Sequence, residues 1–246
     1  MKLFIDSANL ANIETALSEG FIEGVTTTPS LLAKEPKATY LDHMRHIVSL
    51  IRASGRLVHL SMEVIAKEPA DMVSQAELFK HELGYENLAI RVPISQHCRS
   101  FTSVIRQLTS RGIEVNCTAC ITPLQALAAA AAGARYVTLF YNRIRDGALD
   151  NHHKEHGALL AAKLAEDADF DPAHVVAEAS RLLQMSYPKA EIIASSIRSV
   201  LDIKKAGLAG AHIVTLPPRL FIPLLSHYKT DEAVDSYLAD ISRWLN

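Results

Sequence analysis

A (β/α)8 barrel, an α/β fold of the TIM-barrel class, is what this sequence predicts, with one additional helix at the C-terminus. Short β-rich runs and helical segments alternate eight times along the chain, and such alternation is typical of a parallel sheet covered by helices. The chain has 246 residues, which is the size that eight such units require. No linker or change in composition marks a boundary, so we expect a single domain over residues 1–246.

The predicted strands are short apolar or β-branched runs, several of which end in polar residues. An open, doubly wound parallel sheet is the alternative architecture. However, no glycine-rich phosphate loop follows the first strand, and this favours the closed barrel. The eight strands are expected at Lys2–Asp6, Phe21–Thr26, Leu57–Glu63, Asn87–Pro93, Ile113–Thr118, Arg135–Phe140, Glu191–Ser196 and Ala211–Leu216.

The predicted helices are segments in which apolar residues recur at helical spacing, and several of them end at a glycine. The first opens at Ser7-Ala8-Asn9 and closes at Gly20. The last is amphipathic and forms the additional C-terminal helix at about residues 230–245. The others are expected at Leu41–Ile51, Leu124–Ala132, His152–Glu166, Pro172–Gln184 and Val200–Leu208.

The composition excludes several classes of protein. Hydrophobic residues make up 49% and charged residues 21%, which supports a substantial core. The formal charge of −2 favours neither nucleic acid nor an anionic membrane as a partner. The N-terminal apolar run stops at Asp6, too soon for a signal peptide, and no apolar stretch is long enough to span a bilayer. We therefore expect a cytoplasmic protein without nucleic-acid or membrane partners.

Polar residues at the strand ends are expected to meet at one end of the barrel. Alternate residues of a barrel strand face the lumen, and chemistry takes place at the C-terminal strand ends. Any one of these residues could be an ordinary surface polar group, but their convergence favours an active-site mouth. The residues that alternation places there are Asp6, Glu63, Arg91, Asn116, Thr118 and Ser196.

Arg91 is unusual because a permanently charged residue stands near the end of an apolar strand. Burying a guanidinium is costly unless its charge is used or balanced. Asp6 and Glu63 are the carboxylates that could balance it. Either the three residues form a structural ion cluster, or Arg91 holds a carbonyl, carboxylate or enediolate oxygen while Glu63 or Asp6 moves a proton.

Two further motifs could bind a metal, although we expect neither to do so. Cys117 and Cys120 form a C-x-x-C, but Cys117 should face the helix layer and no second pair completes a site. His152 and His156 have helical i, i+4 spacing, yet a zinc site would need further ligands. Packing and a solvated helix start are the favoured interpretations, with no metal and no cofactor.

Several segments resemble the transaldolase family, and they occur in matching order over essentially the whole chain. The length and the Tyr141-Asn142-Arg143-Ile144 segment are most similar to the small subgroup that includes fructose-6-phosphate aldolase. The other segments are Phe4-Ile5-Asp6-Ser7-Ala8-Asn9, Gly24-Val25-Thr26-Thr27-Thr28-Pro29-Ser30, Asn116-Cys117-Thr118, Ala194-Ser195-Ser196-Ile197-Arg198 and Thr215-Leu216-Pro217-Pro218.

The resemblance implies a function and a set of site residues. It implies carbohydrate metabolism, in the pentose phosphate pathway, with a phosphorylated ketose or aldose bound at the barrel mouth. It also implies a ring-shaped homo-oligomer with the C-terminal helix between subunits. By position, the catalytic residues are Asp6, Glu63, Arg91 and Thr118, the substrate-binding residues are Thr26, Thr28, Asn116 and Thr138, and the phosphate-binding residues are Arg143, Ser196 and Arg198.

The sequence departs from the family pattern inside this site. Arg91 stands where the family has the lysine that forms an imine with the ketose, Thr28 replaces an asparagine, and Thr138-Leu139 replaces Ser-Pro. Imine formation needs a neutral primary amine, which a guanidinium cannot supply. Three functions stay open: aldol-type chemistry without an imine, isomerase- or lyase-type proton transfer with Arg91 as electrophile, and catalytically silent binding of a sugar phosphate.

Overall fold

The computed structural model describes residues 1–148 and 153–245, and its central feature is a closed barrel of eight parallel strands. Each strand pairs with the next along the chain, and the last pairs with the first. The predicted fold class is confirmed, and the open doubly wound sheet is excluded. The strands are β1 (Lys2–Asp6), β2 (Gly24–Thr26), β3 (His59–Glu63), β4 (Leu88–Pro93), β5 (Glu114–Cys120), β6 (Tyr136–Phe140), β7 (Glu191–Ser195) and β8 (Ile213–Leu216).

The helices lie between the strands and beyond the last one. A two-stranded antiparallel pair, Ser95–Gln96 with Arg99–Ser100, lies in the loop after β4. The predicted helix at His152–Glu166 falls partly outside the described residues. The helices of the described part are α1 (Leu10–Ser18), α2 (Pro29–Leu32), α3 (Tyr40–Ala53), α4 (Pro69–Leu83), α5 (Thr102–Ser110), α6 (Pro123–Ala131), α7 (Tyr141–Asp146), α8 (His153–Ala161), α9 (Pro172–Ser186), α10 (Val200–Leu208), α11 (Phe221–Leu225) and α12 (Tyr228–Leu245).

Polar side chains fix where several helices begin. The Asn9 side chain accepts a hydrogen bond from a backbone amide in the first turn of α1, and Thr39 does the same for α3. Thr122 and Ser199 cap α6 and α10 in reciprocal capping boxes. Such caps satisfy amides that have no partner within the helix. Each of these four helices therefore starts at a defined residue.

The barrel has two packed layers. Outward-facing strand residues pack against the helices in the main hydrophobic core. A smaller cluster fills the lumen towards the N-terminal strand ends. Gly24 allows this filling, because a Cβ there would lie 2.6 Å from the Phe4 ring. The residues of this lumen plug are Phe4, Ala89, Tyr136, Ile193 and Ile213.

Helix α12 lies outside both layers. None of its side chains whose burial is described is buried, although an apolar stripe runs along it at helical spacing. In the described ranges, we find no helix long and apolar enough to cross a membrane. The exposed apolar residues of α12 are Tyr228, Val234, Tyr237, Leu238, Ile241, Trp244 and Leu245.

Candidate active site

Three of the polar residues placed by alternation lie side by side on adjacent strands. Glu63 of β3 is in register with Arg91 of β4, and Arg91 is in register with Asn116 of β5. Glu63 is the last residue of β3, Arg91 lies two residues before the end of β4, and Asn116 lies in the first half of β5. The barrel thus brings a carboxylate, a guanidinium and a carboxamide to neighbouring positions.

Arg91 is sealed inside the lumen, with a side chain that is 1% exposed. Its Nη2 donates to Thr118 Oγ1 at 2.6 Å, and its Nη1 donates to the Thr27 carbonyl at 3.3 Å. Its Nε lies 3.6 Å from Glu63 Oε2 and has no hydrogen-bond partner among the described groups. A guanidinium has five N–H donors, so this one is held in place without using all of them.

Glu63 is the carboxylate nearest the guanidinium, and its side chain is 19% exposed. Burial raises the pKa of Glu63, and the charge of Arg91 opposes this only in part. The Tyr40 hydroxyl donates to the Glu63 carbonyl at 2.7 Å and accepts from the Glu63 amide at 3.1 Å, which fixes the backbone at the strand end.

Asp6 is the second carboxylate of the group. Its Oδ1 accepts a hydrogen bond from Thr26 Oγ1 at 2.9 Å, and Thr26 Oγ1 lies 2.6 Å from Thr215 Oγ1. Burial raises the pKa of Asp6, while Arg91 and the Thr26 hydrogen bond oppose it. A carboxyl group with a raised pKa is suited to proton transfer closer to neutrality.

Asn116 belongs to a buried hydrogen-bonded chain that runs down the lumen. Its Oδ1 accepts from Thr138 Oγ1 at 2.6 Å, and its Nδ2 donates to Ser61 Oγ at 3.0 Å. Ser61 Oγ lies in turn 2.6 Å from His59 Nε2. The Asn116 carboxamide is therefore held in one orientation from both sides.

Thr28 acts as a helix cap. Its hydroxyl accepts a hydrogen bond from the Leu31 amide at 3.3 Å and caps α2. Threonine and asparagine are both favoured at this position. The cap shows that threonine suits this position structurally, and a role for Thr28 in binding substrate stays a prediction.

The turn at Ser196 departs from the alternation on which its placement was based. β7 ends at Ser195, which has the same parity as Ile193 in the lumen plug. Ser196 follows with φ +59°, and its carbonyl accepts a hydrogen bond from Asn142 Nδ2 at 2.8 Å. Alternation thus places Ser195 on the lumen face, and the position of Ser196 depends on this turn instead.

Arg198 already has an anionic partner. Its two terminal nitrogens donate to the two carboxylate oxygens of Asp146 at 2.8 and 2.6 Å. This bidentate contact holds the pKa of Asp146 below its usual range. Arg143 lies on the same helix as Asp146, and its side chain is exposed. The two predicted phosphate-binding arginines thus flank one carboxylate.

The carboxylate of Asp202 accepts hydrogen bonds from the backbone amides of Arg198 and Ser199. Burial alone would raise the pKa of Asp202, but hydrogen bonds from Asn142 and from the Arg198 amide help to hold it below its usual value. Sequence reasoning missed Asp146, Asn142 and Asp202. Asn142 and Asp146 lie on α7, and only the fold brings them to Arg198. Asp202 follows Arg198 closely in the chain, and the Ser199-x-x-Asp202 capping-box pattern is the local signal that could have identified it.

The alternative reactive groups lie outside this arrangement. The Cys117 and Cys120 sulfurs are 3.8 Å apart and both residues belong to the main hydrophobic core. Alternation predicted this side of the barrel for Cys117, and the register shift between the two residues brings Cys120 to it as well. His152 lies outside the described residues. Lys34 and Lys67, which are in loops near the mouth, are exposed. Among the described side chains, no three metal-ligating residues form a group.

Comparison with known proteins gives one family. A family model described as Transaldolase/Fructose-6-phosphate aldolase matches residues 3–245. A probable transaldolase of Geobacillus kaustophilus is 35% identical over 245 residues, which cover 99% of each chain. Probable transaldolase 2 of Bacillus anthracis is 35% identical over 98% of this chain and 97% of its own. A probable transaldolase of Thermoplasma volcanium is 29% identical over 98% and 95%, respectively.

Proposed function

Because this chain belongs to the transaldolase/fructose-6-phosphate aldolase family, we propose that it binds a phosphorylated ketose or aldose at the barrel mouth and carries out aldol-type chemistry without an imine at Arg91. The main support for this proposal is the placement of Arg91 between Glu63 and Thr118. Asp6 is also close enough to Arg91 for the positive charge to lower the pKa of Asp6 against the effect of burial. The proposal includes a cytoplasmic role in carbohydrate metabolism, within the pentose phosphate pathway.

The proposed reaction uses the guanidinium as an electrophile. Glu63 or Asp6, as the carboxylate, removes the proton from the hydroxyl group on the carbon β to the ketone. The carbon–carbon bond then breaks, its electron pair moves into the ketone, and an aldehyde leaves. The resulting enediolate oxygen is stabilised by unused N–H donors of Arg91. The carboxylic acid then returns its proton to the enediolate carbon, which releases the ketone, or that carbon adds to an acceptor aldehyde and the proton goes to the new alkoxide. A raised pKa makes either carboxyl group a suitable proton carrier.

We assign the phosphate group of the substrate to Arg143, Ser196 and Arg198. Guanidinium groups bind phosphate through paired hydrogen bonds, and a hydroxyl adds a further donor. The Asp146 carboxylate now occupies the two terminal nitrogens of Arg198. Phosphate binding would therefore replace one anion with another at this guanidinium.

A second candidate function is silent binding of a sugar phosphate. The near-complete burial of Arg91 favours it, because a substrate oxygen must reach a side chain that is only 1% exposed. Under this alternative, Arg91, Asp6 and Glu63 are a structural ion cluster. Breaking such a cluster would be strongly destabilising, because it leaves a buried charge unpaired.

An activity screen across ketose and aldose phosphates separates these candidates. Aldol-type chemistry predicts carbon–carbon cleavage or transfer that Glu63→Gln or Asp6→Asn reduces by at least about a hundredfold, within the range of general acid–base contributions, and the variant with the larger loss identifies the base. The matched control is Glu77→Gln, which removes an exposed carboxylate paired with Arg111. Isomerisation without cleavage would instead show that the protein is a proton-transfer enzyme. Binding without turnover would show that it binds a sugar phosphate and catalyses no reaction.

We also propose that α12 packs against another copy of the chain in a ring-shaped homo-oligomer. The helix has an apolar stripe and none of its side chains of described burial is buried within the barrel. A stripe of this kind, left in water, is typical of a protein–protein interface.

A further inference from the structure

A cavity lies at the opposite end of the barrel from the candidate active site. Its volume is about 390 Å³, which is within the usual size range of small-ligand pockets, roughly 300–1,000 Å³. The residues of the lumen plug separate it from the mouth, and Phe4 and Tyr136 belong to both the plug and the cavity wall. We call this cavity the floor pocket. Its polar wall consists of Lys2, Glu23, Arg56, His59, Asn87 and Tyr136.

Two buried nitrogen atoms on this wall have no well-formed hydrogen bond. One is a terminal nitrogen of the Arg56 guanidinium, Nη1, and the other is Nδ1 of His59, although the Asn87 side chain on the same wall is a hydrogen-bonding neighbour of the His59 ring and, against the larger effect of burial, raises its pKa. His59 is only 3% exposed, and its ring stacks on Phe4 and meets Tyr136 edge-on, so its orientation is fixed. Buried polar atoms of native proteins nearly always have partners, so an unpaired set beside a cavity indicates a ligand.

The hydrogen-bonded chain in the lumen makes the unpaired His59 nitrogen a donor. Ser61 Oγ accepts from Asn116 Nδ2, and the other atom within reach of its hydroxyl is His59 Nε2, at 2.6 Å. This arrangement favours a hydroxyl proton that points to Nε2 and a neutral His59 whose ring proton is on Nδ1. Both nitrogen atoms are thus donors without a well-formed hydrogen bond, and an acceptor in the floor pocket would satisfy them.

The charges around the floor pocket favour an anion as that acceptor. Lys2 and Arg135 share the carboxylate of Glu191, at 3.0 and 2.6 Å. Glu191 therefore faces two cations, and Arg56 has no carboxylate partner among the described residues. Two further acidic residues are Glu23, on the pocket wall, and Glu114, whose charge helps to raise the pKa of the wall residue Tyr136; both of their side chains are exposed.

From this arrangement we propose that the floor pocket is a binding site for a small oxyanion, such as a phosphate group, held by Arg56 and by the Nδ1–H of His59. The oxyanion supplies only acceptors, which is what the two unpaired donors lack. This site is separate from the proposed sugar-phosphate site at Arg143, Ser196 and Arg198. Its occupant would also fix the His59 tautomer that orients Ser61 and, through it, Asn116.

Inorganic phosphate is the probe, and the His59 ring is the reporter. In protein with 15N-labelled histidine, the spectrum should first show His59 as the Nδ1–H tautomer, and phosphate should then shift its Nδ1 signal in a saturable titration. Arg56→Gln should weaken this binding at least tenfold. Glu23→Gln should tighten it severalfold, because a repelling carboxylate is lost. The opposite sign of the two effects distinguishes binding from misfolding.

Matched controls change the same charges outside the floor pocket. Arg52→Gln alters the last turn of α3, and Glu19→Gln alters the end of α1; both should leave the affinity within twofold. Crystals soaked in selenate locate the anion by anomalous scattering, and we expect a peak within hydrogen-bond distance of Arg56 and His59. Water alone in the floor pocket, or a His59 signal that does not respond to phosphate, would overturn the proposal.

Discussion

At the scale of single residues, the position of Arg91 limits the reactions open to the whole barrel. Alternation along β4 predicted that this side chain would face the lumen, and its contacts with Thr118 and Thr27 agree. Alternation also predicted the neighbours Glu63 and Asn116, because the register of parallel strands preserves the order of strand ends. It did not predict the pair of Arg198 with Asp146, since one residue follows a strand and the other lies on a helix.

We predict that wild-type protein treated with dihydroxyacetone and borohydride keeps its mass, because Arg91 stays protonated and cannot form an imine. Arg91→Lys should gain the mass of a reduced adduct, and Arg91→Met, which restores neither charge nor amine, should not. Intact-protein mass spectrometry measures all three. An adduct on any lysine of the wild-type chain would show that another residue is the nucleophile.

Asp146 should compete with phosphate for Arg198. We expect Asp146→Asn to tighten the binding of fructose 6-phosphate about two- to fivefold, the range that corresponds to one exposed ion pair. Titration calorimetry measures the affinity, and Glu77→Gln serves as a charge control. Dihydroxyacetone, which has no phosphate, should bind both proteins equally. Weaker phosphate binding by Asp146→Asn would mean that the carboxylate positions Arg198 instead of competing with its ligand.

At the scale of elements, the sequence predicted the presence of all eight strands, but it predicted their first and last residues less accurately. β2 starts at Gly24 instead of Phe21, and β5 runs on to Cys120. In β5, the register with β6 shifts between Cys117 and Cys120, where Ala119 has φ +60°. Such a bulge depends on the neighbouring strand, so periodicity within one segment cannot reveal it. The limits of α10, by contrast, match the prediction, because Ser199 caps its start.

The terminal helix should be separable from the barrel. Deleting residues 228–246 should lower the oligomeric state and leave the barrel folded, because none of the α12 side chains of described burial is buried. Light scattering after size exclusion measures the mass, and far-ultraviolet circular dichroism confirms the fold. Ile241→Asp should act in the same direction, with Ser242→Asp as its neighbouring control. An unchanged mass after deletion would place the subunit interface elsewhere.

At the scale of the whole molecule, we expect the barrel to unfold as one unit whose stability depends on pH through His59. Burial lowers the pKa of His59 to about 3. The unfolded chain takes up this proton near pH 6.5, whereas the folded chain does so only near pH 3. Stability from this residue is therefore fully present above pH 6.5 and is lost as the pH falls towards 3. Asp6 and Glu63, whose pKa values are raised, act in the opposite direction.

His59→Gln isolates this contribution. Between pH 7 and pH 5, the wild-type protein should lose about 2 kcal/mol more unfolding free energy than the variant does, from about 1.4 kcal/mol per pH unit. Urea titrations at both pH values give the two free energies. His46→Gln, which removes an exposed histidine, should keep the wild-type dependence. Equal pH dependence in wild type and His59→Gln would contradict the assignment.

Trp244 is the chain's single tryptophan, and it lies in the last turn of α12 with 79% of its surface exposed. Indole fluorescence moves to shorter wavelength when water is removed from the ring. The emission spectrum of this protein therefore comes from one position on an element outside the barrel. The emission maximum should depend on whether another molecule covers α12, and it should not respond to ligands in the lumen. The fluorescence of a dilution series would therefore follow assembly without any added label.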